Sequence, residues 1–244
     1  GFSTPDLAEK ALAEGVCDFI GIGRPVLADP YYAKKVKENR PEDITPCIRC
    51  CMGCVGTIEK FNAAVGLRCS VNPRCNMGGL REDNPIDRVK KVCIVGGGPA
   101  AMEAALVLTR RGHQVTMYEK RSLGGTMHEA SFDPKLKGDI RLLIQYYQTQ
   151  IKKQKITVIE EEADAEKILA GGYDAVILAT GAQPLPCRVK GTETNPHVMT
   201  LHEYASQAET IQLGETVLIV GGCFMKLETA YSLALQGRQV ILSS

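Results

Sequence analysis

Residues 91–119 read KVCIVGGGPAAMEAALVLTRRGHQVTMYE and contain the clearest structural pattern of the chain. The apolar run 91–95 is typical of a buried parallel strand. The glycines that follow open a predicted helix over residues 102–111, and residues 113–119 read as the next strand. This strand–helix–strand order carries the fingerprint G-x-G-x-x-A at its first turn, which predicts a Rossmann-like dinucleotide-binding domain.

The fingerprint residues have separate predicted roles. Gly96 makes the tight turn, Gly98 leaves room for a pyrophosphate at the helix N-terminus, and Ala101 keeps the helix close to the sheet. Glu119 ends the second strand, where its carboxylate can accept hydrogen bonds from ribose hydroxyls. The predicted cofactor-binding set also contains the neighbours Pro99, Ala100, Lys120, Gly125 and Gly181.

Gly125 and Gly181 belong to two further turns. Residues 123–125 form a glycine-rich turn after the second strand, and residues 174–181 read as a buried strand that ends in small residues. Both turns could line the same cofactor, and both could equally be ordinary turns.

The strand–helix–strand pattern repeats over residues 216–244 with an altered fingerprint. Cys223 replaces the second glycine and Lys226 replaces the last small residue, which weakens pyrophosphate approach and helix packing. Ser243 and Ser244 stand where an acidic residue would select a ribose hydroxyl. The pattern leaves open whether this segment binds a nucleotide or is a retained structural domain.

The pattern of residues 1–45 predicts the last unit of a (β/α)8 barrel. A first helix, a short strand over residues 18–24 that breaks at Pro25, and a helix over residues 29–37 follow one another. In such barrels the last loops often bind a phosphate through backbone amides. Gly23 and Arg24 are therefore candidates for a phosphate site, and the alternative is a turn with a surface arginine.

Six of the ten cysteines lie between Pro46 and Cys75. Four of them follow the order C-x2-C-x3-C-x14-C, which is typical of three close thiolate ligands and a distant fourth. The candidate metal ligands are Cys47, Cys50, Cys54 and Cys69. From the spacing alone an iron–sulfur cluster, a structural zinc ion, and disulfides or spare thiols all stay open, with Cys51 and Cys75 left over.

The composition is that of a globular α/β chain, with 244 residues, 44% apolar residues and 24 glycines. The net charge of +1, without a block of basic residues, gives no reason to expect nucleic acid or a membrane surface as partners. No apolar run approaches the roughly 20 residues that span a bilayer, and the N-terminus lacks a signal pattern. We therefore expect a cytoplasmic protein with reduced thiols, and we interpret the chain as part of a longer polypeptide.

Four motifs in a fixed order carry a family resemblance. They are GFSTPDLAEKAL with GRPVLADP, PCIRC with CSVNP, VCIVGGGPAAMEAA with YEKRSLGG, and DAVILATGAQP. Their order resembles the iron–sulfur flavoenzyme branch of the old yellow enzyme family, which includes 2,4-dienoyl-CoA reductase, enoate reductases and trimethylamine or histamine dehydrogenases. The resemblance covers nearly the whole chain.

The resemblance implies three bound cofactors. It implies a [4Fe–4S] cluster on the four cysteines of the spacing motif and the phosphate of FMN at Gly23 and Arg24. It further implies the ADP part of a second cofactor, for which FAD is favoured, on residues 96–101 with Glu119. In this family Cys51 stands where relatives commonly have asparagine, so a shifted ligand set stays open.

The resemblance also implies an activity. The reductases of this branch pass electrons from NAD(P)H through FAD and the cluster to FMN, which reduces an activated C=C bond of an unsaturated acid or acyl-CoA. The amine dehydrogenases do not use NAD(P)H, and the altered second fingerprint keeps this alternative open. A non-enzymatic module with structural zinc is a third reading. We expect the chain to be inactive alone, nominate no catalytic acid or base, and leave a homo-oligomer open.

We divide the chain accordingly into four predicted parts. Residues 1–45 are the C-terminal part of a TIM-barrel FMN domain, and residues 46–88 are the cluster segment with a linker. Residues 89–210 are a Rossmann-like FAD-binding domain, and residues 211–244 are the truncated start of an NAD(P)-binding-like domain.

Overall fold

The computed structural model describes residues 2–56, 66–77, 86–185, 190–192 and 194–243. These residues form two compact units. The first comprises Gly1–Gly125 with Asp139–Thr180, and the second comprises Thr126–Gly138 with Gly181–Ser244. Within the described ranges, no helix combines the length and the apolar content that crossing a bilayer requires.

The N-terminal part of the first unit is helical. Its elements are α1 (Pro5–Ala13), α2 (Arg24–Ala28), α3 (Tyr32–Lys37) and a 3-10 turn, Pro41–Asp43.

The strand predicted over residues 18–24 is wrong. Residues 18–23 have irregular backbone, and Phe19 is 91% exposed. A parallel strand is stable only when neighbouring strands satisfy its N–H and C=O groups, and the described part of the chain supplies none for this segment. Pro25 does not break an element but lies in the first turn of α2, where its missing N–H costs no helical hydrogen bond. The barrel assignment stays a prediction.

The centre of the first unit is a four-stranded parallel sheet with the strand order β3-β2-β1-β4. Its strands are β1 (Lys91–Val95), β2 (Gln114–Tyr118), β3 (Thr157–Ile159) and β4 (Ala175–Leu178). Helix α4 (Pro99–Arg110) connects β1 to β2. Cys93 and Ile94 of β1 are fully buried, as are Met102 and Met117. The predicted α/β fold with a parallel sheet and a Rossmann-like opening is confirmed.

Three further helices lie between β2 and β4 along the sequence. They are α5 (Met127–Ala130), α6 (Pro134–Lys153) and α7 (Ala165–Ala170). Helix α6 is interrupted at Lys137, whose φ of −128° and ψ of 29° are not helical. The side chain of Asp164 caps α7 by accepting the N–H of Lys167 at 2.8 Å.

The second unit contains the repeated pattern. Strands β5 (Thr216–Val220) and β6 (Gln239–Ser243) pair in parallel, and α9 (Phe224–Leu235) connects them. Helix α8 (Leu201–Gln207) begins with a capping box between Thr200 and Glu203. The core joins Phe132 to Tyr204, with ring centroids 5.6 Å apart, and includes Ile219 and Leu233.

Candidate functional site

The turn after β1 requires glycine at its first position. Gly96 has a φ of 115°, in the left-handed region, and a Cβ atom there would collide with the carbonyl oxygen of Ala179. Its N–H donates to the carbonyl oxygen of Tyr118 at 2.8 Å, at the end of β2. The chain can therefore leave β1 close to both neighbouring strands only because this residue has no side chain.

Gly97 is packed against Glu119. A Cβ atom on Gly97 would lie 2.6 Å from Cγ and 2.7 Å from Oε2 of Glu119. The other carboxylate oxygen of Glu119 accepts the N–H of Arg121 at 2.7 Å. These contacts hold the carboxylate of Glu119 beside the glycine turn, where it was predicted to meet a ribose.

Open space lies at Gly98 and at the start of α4. Gly98 has ordinary extended backbone, with a φ of −75° and a ψ of 179°, and a Cβ atom there would touch nothing within 4 Å. Pro99 and Ala100 are exposed in the first turn of this 12-residue helix, and Ala101 is fully buried. The first N–H groups of a helix have no partners within it and attract anions, so this end can receive a phosphate.

A second loop approaches the same turn. The N–H of Gly124 donates to the carbonyl oxygen of Gly97 at 2.8 Å. Gly125 has a φ of 54°, and a Cβ atom on it would lie 2.7 Å from Cα of Gly98. The turn over residues 123–125 thus lies directly against the fingerprint, as does the backbone of Ala179 after β4.

Two other residues of the predicted set are placed differently. Lys120 is directed away from the glycine turn towards Glu162, with Nζ 2.8 Å from the carboxylate, and both side chains are exposed. Gly181 begins the longer stretch of the second unit, has a φ of 75°, and would contact nothing within 4 Å at its Cβ position.

Five cysteines line one small cavity that opens to solvent. They are Cys47, Cys50, Cys51, Cys54 and Cys69. The distant Cys69 reaches this place because the N–H of Arg68 donates to the carbonyl oxygen of Gly53 at 2.8 Å. A Cβ atom on Gly53 would lie only 2.7 Å from the carbonyl oxygen of Arg68, so glycine permits this approach. All four predicted ligands are therefore brought together, with Cys51 as a fifth thiol. Cys75 is buried and does not line the cavity.

Arg24 also lines the cysteine cavity. Its Nη1 donates to Sγ of Cys51 at 2.9 Å. This hydrogen bond is the main reason that the pKa of Arg24 is raised, and the charges of the Cys47 and Cys54 sulfurs add to the effect. Gly23 precedes it with a φ of −101° and has free space around its Cβ position. The arginine predicted for a phosphate is thus directed, in part, at the cysteines.

The cysteine cavity offers the thiol ligands that an iron–sulfur cluster requires and that a zinc ion also takes. Five sulfur-bearing side chains line it. Burial raises the pKa of Cys47 and of Cys69, so both thiols must release protons when metal binds.

In the second unit, the two residues that replace small fingerprint residues occupy different environments. Gly221 has a φ of 135°, and the exposed Cys223 precedes the first turn of α9. Lys226 is 7% exposed, and its Nζ donates to the carbonyl oxygen of Ser243 at 2.7 Å. The lysine is accommodated because its ammonium group reaches the end of β6.

Two contributors to these sites were not predicted from the sequence. Arg68 lines the cysteine cavity, and Gly97 packs against Glu119. The run of three glycines at 96–98 is a readable signal for Gly97, because a fingerprint alone requires only two. Nothing in the local sequence signals the position of Arg68.

The parallel sheet and the glycine turn define a nucleotide-binding α/β protein of the Rossmann-like class. Residues 90–243 match the family described as pyridine nucleotide-disulphide oxidoreductase. The chain belongs to this family. Membership supports a flavin and a pyridine nucleotide as the classes of cofactor.

Curated relatives match nearly the whole chain. An NADH oxidase of Thermoanaerobacter brockii is 39% identical over 98% of this chain and 37% of its own length. A cinnamate reductase of Clostridium sporogenes is 35% identical over 98% of this chain and 35% of its own length. The chain thus spans little more than a third of the length of these relatives.

Two solved structures are also similar to this chain. A 2-naphthoyl-CoA reductase in complex with 2-naphthoyl-CoA is 37% identical with a TM-score of 0.88, over 98% of this chain and 36% of that one. The histamine dehydrogenase from Rhizobium sp. 4-9 is 29% identical with a TM-score of 0.81, over 99% of this chain and 37% of that one. The resemblance to the flavoenzyme branch related to old yellow enzyme is confirmed.

Proposed function

We propose that this chain is the electron-transfer part of an NAD(P)H-dependent flavin and iron–sulfur oxidoreductase that reduces activated C=C bonds. The observation that carries the proposal is the cavity lined by five cysteines in the same compact unit as the Gly96 turn. The names of two relatives, cinnamate reductase and 2-naphthoyl-CoA reductase, support an unsaturated acid or acyl-CoA as the substrate class.

Each cofactor has a proposed set of residues. Cys47, Cys50, Cys54 and Cys69 would hold a [4Fe–4S] cluster, and Gly23 with Arg24 would hold the phosphate of FMN. The ADP part of FAD would lie on residues of the first unit: Gly96, Gly98, Pro99, Ala100, Ala101, Glu119, Lys120 and Gly125. This set leaves out Gly181, which belongs to the second unit. When bound, these groups would supply the electron-transfer chemistry, and NAD(P)H would supply the electrons.

The residues of the glycine turn would bind the ADP part of the flavin and orient it. Main-chain N–H groups at the start of α4 would donate to the pyrophosphate, and the absent side chain of Gly98 leaves the space for it. Glu119 would accept hydrogen bonds from ribose hydroxyls, held in position by the N–H of Arg121 and the surface of Gly97. We also propose that the chain divides into the four parts predicted from its sequence, namely residues 1–45, 46–88, 89–210 and 211–244.

An amine dehydrogenase that does not use NAD(P)H is the second candidate. It is favoured by Lys226, which is buried at the altered fingerprint and bonded to Ser243 where a pyridine nucleotide would need small residues. Anaerobic mixing of the full-length protein with NADH or NADPH separates the two candidates. Rapid bleaching of the flavin supports the reductase, and bleaching only by amines supports the dehydrogenase.

The cofactor assignment is tested by metal and flavin analysis of anaerobically purified full-length protein. We expect iron and acid-labile sulfide near four each per chain, in line with a [4Fe–4S] cluster. Cys54→Ala should lose both, whereas Cys75→Ala is the matched control because Cys75 lies outside the cavity. Zinc near one per chain, without sulfide or flavin, would contradict the proposal and indicate a structural zinc site.

A further inference from the structure

The guanidinium of Arg24 is directed at a cysteine sulfur. Among the described residues, no Asp or Glu lies within ion-pair distance of this guanidinium, and its hydrogen bond goes to Sγ of Cys51. Arg49, in the same cysteine segment, differs because it forms an ion pair with Asp139 and does not line the cavity. A fixed positive charge therefore faces the cysteines from one side of the cavity.

We propose that Arg24, positioned by its hydrogen bond to Cys51, raises the reduction potential of the cluster in the cysteine cavity, and that Cys51 is a positioning residue and not a cluster ligand. This inference rests on the proposed function, since it assumes that the four other cysteines of the cavity hold the cluster.

The physical reason is the change in charge on reduction. A cluster held by four thiolates gains one negative charge when it takes up one electron, here from a chemical reductant. Because the energy of attraction grows with the product of the charges, a nearby guanidinium stabilises the reduced form more than the oxidised form. Net charge and hydrogen bonds to sulfur are among the factors that set cluster potentials. An arginine keeps its charge throughout the accessible pH range.

The backbone at Cys51 explains how its sulfur is held against Arg24. Cys51 has a φ of 55°, a left-handed conformation that is uncommon for residues other than glycine. Its carbonyl oxygen accepts the N–H of Gly56 at 2.8 Å, which fixes this conformation. The turned backbone distinguishes Cys51 from its neighbour Cys50, whose Sγ lies 3.3 Å from Oγ of Ser70 instead. Two adjacent cysteines can thus have different roles in the same cavity.

The test is a potentiometric titration of the full-length holoenzyme, with the reduced cluster followed by electron paramagnetic resonance. Arg24→Met should retain iron and sulfide but titrate at a more negative potential, in samples matched for FMN content because Arg24 is also proposed to hold the FMN phosphate. At the wild-type midpoint we expect the ratio of reduced to oxidised cluster to fall about tenfold, which is roughly 59 mV for one electron. Arg24→Lys should shift less because it keeps the charge. Arg49→Met should also shift less, because the Arg49 side chain is 54% exposed, screened by solvent and outside the cavity lining.

The possible outcomes separate the inference from the proposed function. An unchanged midpoint in fully loaded Arg24→Met overturns the inference alone. Should that variant lose iron, Cys51→Ala decides. A loaded Cys51→Ala protein with a more negative midpoint supports the inference, whereas loss of the cluster or an unchanged midpoint overturns it. Absence of iron and sulfide from the wild-type protein would overturn the proposed function, and the inference with it.

Discussion

A methyl group on Gly97 would lie 2.6 Å from Cγ of Glu119, so these two residues of the nucleotide site compete for the same space. Contacts this close are essentially forbidden between carbon atoms. Gly97→Ala should displace the carboxylate of Glu119 and weaken flavin binding about tenfold. In a Glu119→Ala background, the same substitution should have a smaller further effect, because the nearest colliding side chain is gone and only the end of the Leu123 side chain, at 2.9 Å, must move. Flavin dissociation constants of the four proteins provide the measurement, and additive losses would contradict the contact.

Gly96 and Gly98 should respond differently to alanine, although both are fingerprint residues. At Gly96 the substitution combines a φ of 115° with a collision against Ala179, so Gly96→Ala should destabilise the folded protein itself. At Gly98 the added methyl group meets no protein atom and the backbone is ordinary, so Gly98→Ala should fold normally but bind flavin poorly.

Thermal unfolding and flavin content together measure this difference. Gly138→Ala serves as the control, because Gly138 has free space at its Cβ position and no left-handed backbone. Equal loss of thermal stability at positions 96 and 98 would count against the described turn.

Because of Asp43, the free energy of unfolding of the first unit should depend on pH. Burial raises the pKa of this carboxyl, but hydrogen bonds from Lys153, Gln150 and Arg40 outweigh burial and hold it well below the usual 3.8. Because the folded-state pKa is depressed, the contribution is complete above pH 3.8 and is lost as the pH falls through the lower folded value. Asp43→Asn should therefore be less stable at pH 7, with a gap to the wild type that narrows in acid.

Urea unfolding midpoints between pH 7 and acid would measure this gap, with Glu9→Gln, at an exposed site on α1, as the control. A gap that stays constant with pH would show that the carboxylate of Asp43 does not stabilise the fold through its charge.

The carboxylate of Asp29 is buried and accepts hydrogen bonds from three groups. Asp29 is 3% exposed, and its carboxylate accepts Nζ of Lys35 at 2.5 Å and the N–H groups of Tyr31 and Thr45 at 2.9 Å. Asp29→Asn removes the charge that neutralises Lys35, which for a buried pair costs about 3 kcal/mol. The free energy of unfolding should fall accordingly.

The exposed pair Lys10–Glu14 on α1 provides the comparison, with side-chain exposures of 69% and 56%. Glu14→Gln should cost less than about 1 kcal/mol, because solvent screens exposed pairs. Equal losses for Asp29→Asn and Glu14→Gln would contradict the importance of burial at Asp29.

Much of the first unit could be predicted from the sequence, because its signals are local. The strand Lys91–Val95 has the predicted bounds, since a run of apolar residues between turns specifies a buried parallel strand. The helix that follows begins three residues earlier than predicted, at Pro99, because proline fits the first turn of a helix.

Other features depend on partners far away in the sequence. The apolar residues 18–24 resemble a strand, but a strand needs neighbours that local sequence cannot supply. The cysteine spacing indicated which thiols meet, yet the positions of Arg24 and Arg68 on the cavity wall result from tertiary packing. The fit of Gly97 against Glu119 likewise joins residues from two strand ends.

The second unit is assembled from two separate stretches of chain, with Phe132 from the first packing against Tyr204 from the second. A gene fragment that encodes only residues 181–244 would lack this phenylalanine and the rest of Thr126–Gly138. Such a fragment would expose part of its own core. Recombination that exchanges this unit between related enzymes must therefore transfer both stretches together, which a single crossover cannot do.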